Sequence, residues 1–404
     1  MNRIRVCLWA TTMQGNMFSL ARHLQQRPEY DVVAVMQTPD IYRQEPINQL
    51  APLRVTVMDR QHPQTLGALQ RWKPHITVID NHHPPVPLSP LLVNVWHGYS
   101  WKGPEDKKQF AEIYKSVKAH TGIAPDAPNP RFMWIAAGEP NRRYRIEVSG
   151  FHPDNVLALG QCYNDDIISP PFSKTDALAH YPKRFRDGPI FLLAPTWHHG
   201  TIFAQWGDDL DIIEALIGEL KKNGAALVLR MHDRHRFDAA YVQRLENMCR
   251  DQDSAVLLKF KDTTQDNLLD IALADGLLSN YSSFLTFFYP TLRPTIHICP
   301  NLDNTRAYSY RIWKRGKVRE IKTKDMGHAW AMPPTEHGGL MADNPDDLLA
   351  HVRRAIAEPD CCRASAQRFL DAHCAPNDGH RCEALRRAME ERLRLLAPSN
   401  DDFP

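Results

Sequence analysis

Short runs of aliphatic and β-branched residues alternate with amphipathic stretches from one end of the chain to the other. Apolar runs of four to seven residues between turn-formers predict buried strands, and spacing at three and four residues predicts helices between them. In the first half the pattern predicts strands over 4–10, 30–36, 76–80, 92–96, 132–136 and 156–159. Helices are predicted between them, for example over 17–26 and 107–120.

The pattern breaks between 167 and 188, where Ser169-Pro170-Pro171-Phe172-Ser173 and Tyr181-Pro182-Lys183-Arg184 carry turn-formers and charge without a period. A domain boundary is expected there. Strands resume over 189–194, 226–231, 255–260, 276–279 and 295–299. The helix expected over 208–223 is the best specified. Leu210, Ile213, Leu216, Ile217 and Leu220 share one face. Asp208, Asp209 and Asp211 sit at its positive end, Lys221 and Lys222 at its negative end, and Gly224 follows as a cap. Asn344-Pro345-Asp346-Asp347 opens another helix, and helices over 361–373 and 381–396 close the chain. No internal repeat or low-complexity tract occurs.

Strands alternating with helices in two halves predict an α/β fold of two Rossmann-like domains facing a cleft, with C-terminal helices crossing back. The expected units are an N-terminal acceptor domain over 1–170, a C-terminal nucleotide-donor domain over 188–380, and a helix and tail over 381–404.

The 404 residues are 43% hydrophobic and 24% charged, which excludes disorder as the main state. The formal charge of +2 argues against a nucleic-acid partner. The start carries only a five-residue apolar run after its basic residues, and no run approaches a membrane span, so a cytoplasmic protein is expected. The eight cysteines contain no C-x-x-C pair and read as free thiols.

Polar clusters fall just after predicted strands: Asp80-Asn81-His82-His83, Trp96-His97-Gly98, Thr196-Trp197-His198-His199-Gly200, Arg230-Met231-His232-Asp233 and Asn280-Tyr281-Ser282-Ser283. Any one of these is ordinary loop polarity. Five together predict a cleft lined with imidazoles and hydroxyls. His97, turned out by Gly98, suits a general base near neutral pH. Lys102, five residues on, reads as a phosphate contact or a solvated lysine. Arg230 and His232, two apart at a strand end, suit an anionic leaving group. Ser282 and Ser283 stand where a helix begins, which reads as helix capping or as a phosphate seat. No P-loop or dinucleotide fingerprint occurs. His232-x-x-His235 lacks a third ligand at motif spacing, so no metal and no cofactor are expected. The tract over 314–324 has six basic residues against one acid, and reads as a solvated face or an anion-facing one.

Taken in order, these segments resemble the CDP-glycerol glycerophosphotransferase family, which builds teichoic acids and related capsule polymers. Asn94-Val95-Trp96-His97-Gly98-Tyr99-Ser100-Trp101-Lys102 is similar to its tryptophan-histidine-glycine segment. Leu193-Ala194-Pro195-Thr196-Trp197, Leu229-Arg230-Met231-His232 and Ser279-Asn280-Tyr281-Ser282-Ser283 followed by Leu292-Arg293-Pro294 match three more of its motifs. Leu159-Gly160-Gln161-Cys162-Tyr163-Asn164-Asp165 is a weaker echo, and Asn377-Asp378-Gly379-His380-Arg381 fits a C-terminal segment. The family's Thr-Pro-Leu is Tyr99-Ser100-Trp101 here, and Asn280 and Asp233 replace an aspartate and a proline.

The resemblance implies a GT-B-type fold and transfer of an alditol phosphate from a CDP-linked donor to a hydroxyl of a lipid-linked or polymeric glycan acceptor. A lipid-linked acceptor further implies peripheral association of a cytoplasmic protein with the inner membrane face. His97 and His232 are the implied catalytic pair. Arg230, Thr196, Asn280, Ser282 and Ser283 are the implied donor contacts, and Lys102 a phosphate or acceptor contact. The competing readings are a nucleotide-sugar glycosyltransferase or epimerase on the same fold, and a nucleotide- or polymer-binding protein without turnover.

Overall fold

A computed structural model describes residues 3–396, except 81, 97, 100, 104, 196–202, 204–205, 233–237, 251–254, 262, 265, 281, 299–307, 315–316, 324–328 and 331–335. For 102–103, 308–314, 317–323 and 329–330 the description is of the backbone.

The first half supplies β1 (Ile4–Trp9), β2 (Tyr30–Met36), β3 (Thr56–Asp59), β4 (Ile76–Ile79), β5 (Leu91–Asn94), β6 (Lys102–Gly103), β7 (Phe132–Ile135) and β8 (Val156–Leu157). All but β6 join a seven-stranded parallel sheet in the order β3-β2-β1-β4-β5-β7-β8. The central strands are short and apolar because both faces are covered: every residue of β4, β5 and β7 is buried.

The second half supplies β9 (Ile190–Leu193), β10 (Ala226–Met231), β11 (Val256–Phe260), β12 (Gly276–Ser279), β13 (Thr295–Ile298), β14 (Tyr308–Lys314), β15 (Lys317–Thr323), β16 (Ala329–Trp330) and β17 (Leu340–Ala342). Six of them form a second parallel sheet in the order β11-β10-β9-β12-β13-β17. The helix Asp209–Lys222 begins as expected, with the Asp208 carboxylate accepting from the Leu210 N–H, and its apolar face enters the core under this sheet. Asn344 caps Pro345–Ala357 in the same way.

Each sheet reverses its winding once, between β1 and β4 and between β9 and β12. Ligands of such sheets bind outside the strands' carboxyl ends at these points.

The last helix, Arg381–Leu396, crosses back to the first sheet. Cys382, Leu385, Met389 and Leu393 enter the core beside Leu8, Met17 and Val32. The Asp165 carboxylate accepts from the Arg381 and Cys382 N–H groups at 2.9 and 2.8 Å, so the weak Gln161–Asp165 echo holds the start of this helix. Arg27 pairs with Glu383 at 2.9 Å, and the Tyr30 hydroxyl donates to Glu390 at 2.6 Å.

Three features depart from the expected pattern. β3 and β17 lack a buried alternating run, since β3 is exposed or half-buried throughout. The basic tract lies largely within an antiparallel ribbon of β14 and β15, in which Lys314 stands opposite Lys317. The aperiodic stretch holds a short helix, Lys174–Leu178, capped by Ser173, with Tyr181 and Phe185 buried after it. The described cysteines are free thiols.

Candidate functional site

The carboxyl end of β5 is shaped by asparagines. Asn94 accepts from the Trp96 N–H at 2.7 Å. Asn16 donates to the Val95 and Trp96 carbonyls, each at 3.1 Å, bonds Gln161, and accepts from the Tyr163 N–H at 3.1 Å. One buried amide thus clasps the loops after β1, β5 and β8. Trp96 sits in the left-handed region at φ 46°, a conformation costly for a bulky residue and sustained only by such surroundings. Its ring lies 5.0 Å from that of Trp134 and 5.7 Å from that of Phe110.

Immediately beyond, the first domain meets the second. A Cβ on Gly98 would stand 2.7 Å from the Ser283 Cβ and nearer still to its Oγ, so only glycine allows the backbones this approach. The Tyr99 N–H donates to Ser283 Oγ at 3.0 Å, and that hydroxyl donates back to the Tyr99 carbonyl at 3.2 Å. Ser283 is therefore committed to the domain junction rather than to capping the Phe284–Phe288 helix, where it makes no side-chain cap bond. The capping expected of the serines comes from Ser282, whose Oγ accepts from the Phe284 N–H at 3.3 Å. Asn280 is buried at the end of β12, and Ser279 donates to the Ala194 carbonyl at 2.5 Å, tying β12 to β9 at the switch point.

Arg230, which the strand pattern sets beside His232 as a contact for an anionic leaving group, is 5% exposed, and its guanidinium donates to Asp270 at 2.9 Å and to the Thr264 carbonyl at 2.8 Å. Lys259 also pairs with Asp270 at 2.7 Å, and Tyr181 bonds the same carboxylate. Two cations around one fully buried carboxylate make a structural knot under β10 and β11. Burial pushes the Asp270 carboxyl up, but Lys259 and Arg230 more than offset this and leave it below the ordinary range. Its neighbour Asp266 is pushed up to about 6, first by burial and then by the charge on Asp270.

This knot borders a feature that no motif signals. A cavity of about 510 Å³ lies between the domains, walled by Ile41, Glu45 and Pro46 from the first and by Lys259, Thr264 and Asp266 from the second. Its size suits a small-molecule ligand. The Tyr181 and Lys259 side chains join its lining to the knot.

His232 follows β10 at its carboxyl end, half-buried. His97 and Thr196 lie outside the described residues, but the residues on either side of His97, Trp96 and Gly98, are the clasped and junction residues above. Lys102 pairs its backbone with Trp330 where β6 meets β16. His83 lies 5.5 Å from His120, ring to ring, and burial pushes it down to about 4. Among the described residues, no group of three or more His, Cys, Asp or Glu could hold a metal ion, and no helix is long and apolar enough to cross a membrane.

No family model and no curated protein sequence matches the chain. Solved structures do. The wall teichoic acid polymerase TagF superposes with a TM-score of 0.68 at 14% identity, over 97% of this chain and 90% of that one. A histidine-to-asparagine variant of TagF soaked with CDPG gives 0.70 at 13% identity, with the same coverage. A putative UDP-N-acetylglucosamine 2-epimerase from Listeria monocytogenes gives 0.56 at 12% identity, over 97% of this chain and 98% of that one. At these identities the likeness is one of architecture, and with its two parallel sheets the chain has the two-domain, Rossmann-like GT-B fold.

Proposed function

We propose that the protein is a transferase that moves an alditol phosphate, glycerol phosphate foremost, from a CDP-linked donor to a hydroxyl of a lipid-linked or polymeric glycan. The observation that carries this reading is the junction of Gly98 and Tyr99 with Ser283. It sets the tryptophan-histidine-glycine segment of one domain against the serine loop of the other, the two segments with the most family character. The likeness to TagF over nearly the whole chain supports the same reading.

In this reading the acceptor oxygen attacks the phosphorus that carries the alditol. His97 takes the acceptor proton. The bond from that phosphorus to the bridging oxygen breaks, and CMP leaves with the electron pair. His232 offsets the charge growing on the bridging oxygen. Ser282, Asn280 and Thr196 contact the donor's phosphates, and Lys102 the phosphate or the acceptor. Positioning and charge stabilisation supply most of the rate in such transfers. Arg230 acts at one remove, by holding the end of β10 through Asp270. A glycan acceptor carried on lipid puts the work at the cytoplasmic face of the membrane.

The test is incubation with a panel of CDP-alditols and nucleotide sugars, with mass analysis of the nucleotide released. CMP from a CDP-alditol supports the reading. A nucleoside diphosphate released from a nucleotide sugar replaces it with glycosyl transfer, and tight binding with no product replaces it with a binding role.

A further inference from the structure

Tyr99-Ser100-Trp101 stands where the related family carries Thr-Pro-Leu, and the structure gives these aromatics a specific place. Tyr99 and Trp101 belong to the first domain's chain and are buried at the junction, with ring contacts to side chains of the second. The Trp101 ring stacks on Phe369 at 5.8 Å and 19° and meets His297 edge-on at 5.5 Å. The Tyr99 ring lies 6.0 Å from those of both Trp101 and Phe369. Trp101 is 2% exposed.

The seat under Trp101 is itself braced. His297, on β13, is fully buried and its Nε2 bonds the Tyr289 hydroxyl at 2.5 Å. Burial keeps His297 well below the ordinary histidine range, so it stays neutral and the seat carries no charge near neutral pH. Phe369 is packed between Tyr289, at 4.7 Å, and His373, at 4.6 Å. Beyond Trp101 the chain pairs Lys102 and Gly103 with Trp330 and Ala329.

The segment is thus fixed at both ends by different domains. Its root at Val95 and Trp96 is clasped by Asn16, and Gly98, Tyr99 and Trp101 lie against the second domain. His97 is the single residue between. We infer that Trp101, seated on Phe369 and His297, is a positioning residue: it anchors Tyr99 on Ser283 and, through Gly98, the segment that carries His97. This rests on the reading of His97 as the base. The large flat ring is held by stacking on one side and an edge contact on the other.

The experiment uses the full chain, with Trp101→Leu, Trp101→Phe and Phe369→Leu. Two readouts separate the inference from the reading beneath it. The first is hydrogen exchange at the Tyr99 amide, which needs no substrate. Trp101→Leu and Phe369→Leu are expected to lose most of its protection while the amides of β1 and β4 keep theirs, and Trp101→Phe is expected to restore it. The second is CMP release from the CDP-alditol that proves to be the donor. In Trp101→Leu, kcat is expected to fall about tenfold or more with the donor KM changed less than about threefold, since small misplacement of a reacting group is costly in rate. Retained Tyr99 protection in both leucine variants overturns the inference whatever the activity. So does lost protection with unchanged kcat. Activity lost in His97→Ala tests the base separately, and a His97→Ala enzyme of full activity removes the reading without touching the exchange result.

Discussion

Gly98 and Ser283 lie so close that a Cβ on the one would stand 2.7 Å from the Cβ of the other. They belong to different domains, and the Ser283 hydroxyl serves both backbone groups of the next residue, Tyr99. The distance between the halves of the candidate site is therefore set by the absence of one side chain.

A methyl group at Gly98 must push the domains apart. Gly98→Ala is expected to lower turnover by about two orders of magnitude, the scale of loss from misplacing reacting groups. Ser283→Gly makes room, so the double variant Gly98→Ala/Ser283→Gly is expected to recover much of the loss. Steady-state kinetics on the two single variants and the double variant measure the coupling.

The Arg230–Asp270–Lys259 knot gives a second expectation. Asp270→Ala leaves the buried Arg230 and the half-buried Lys259 without their shared anion and is expected to cost about 3–5 kcal/mol of stability. Urea unfolding followed by circular dichroism reads this directly. A loss below 1 kcal/mol would mean that the carboxylate is not the centre of the knot.

Asp266 supplies a pH test with a definite sign. Its carboxyl is raised to about 6, above the ordinary carboxylate range. A group raised in the folded state contributes stability that is complete below its unfolded value, near 4, and is lost as the pH rises through 6. At neutral pH its ionised form then costs the fold on the order of 3 kcal/mol. Asp266→Asn removes the charge and keeps one oxygen, enough for one of the Leu268 and Leu269 N–H groups that the two carboxylate oxygens accept from. The stability of the variant relative to the parent is expected to be greater at pH 8 than at pH 4. Thermal melts across that range check it.

Asn16 gives a fourth. Removing its amide in Asn16→Ala leaves the Val95 and Trp96 carbonyls without their donor and Trp96 in its left-handed conformation without support. The expected loss is about 1–3 kcal/mol for each buried group left unpaired, with a fall in turnover beyond what the stability loss explains. Activity measured at a temperature where the variant is fully folded separates the two.

The alternating pattern carried most of the architecture because buried parallel strands are runs of apolar residues. β10 and β12 span 226–231 and 276–279, the ranges their patterns predict. β3 escaped because an edge strand exposed on one side, Thr56-Val57-Met58-Asp59, has no buried run to show. The site was legible only as separate motifs. What joins them is tertiary: Tyr99 reaches Ser283 across 184 positions, Asn16 reaches Trp96 across 80, and Arg230 meets Asp270 across 40. Nothing near Arg230 in the sequence signals its buried carboxylate partner, Asp270. Nor does the sequence show that the Trp101 ring stacks on Phe369, with the Tyr99 ring tilted beside it, at the domain boundary.

The central claim is that the bond broken lies between two phosphoryl groups. A CDP-alditol labelled at the phosphorus bearing the alditol tests it most directly. Label arriving in the acceptor together with the alditol, beside unlabelled CMP, is the predicted result. Label left on a nucleoside diphosphate, with only the carbon skeleton transferred, contradicts it.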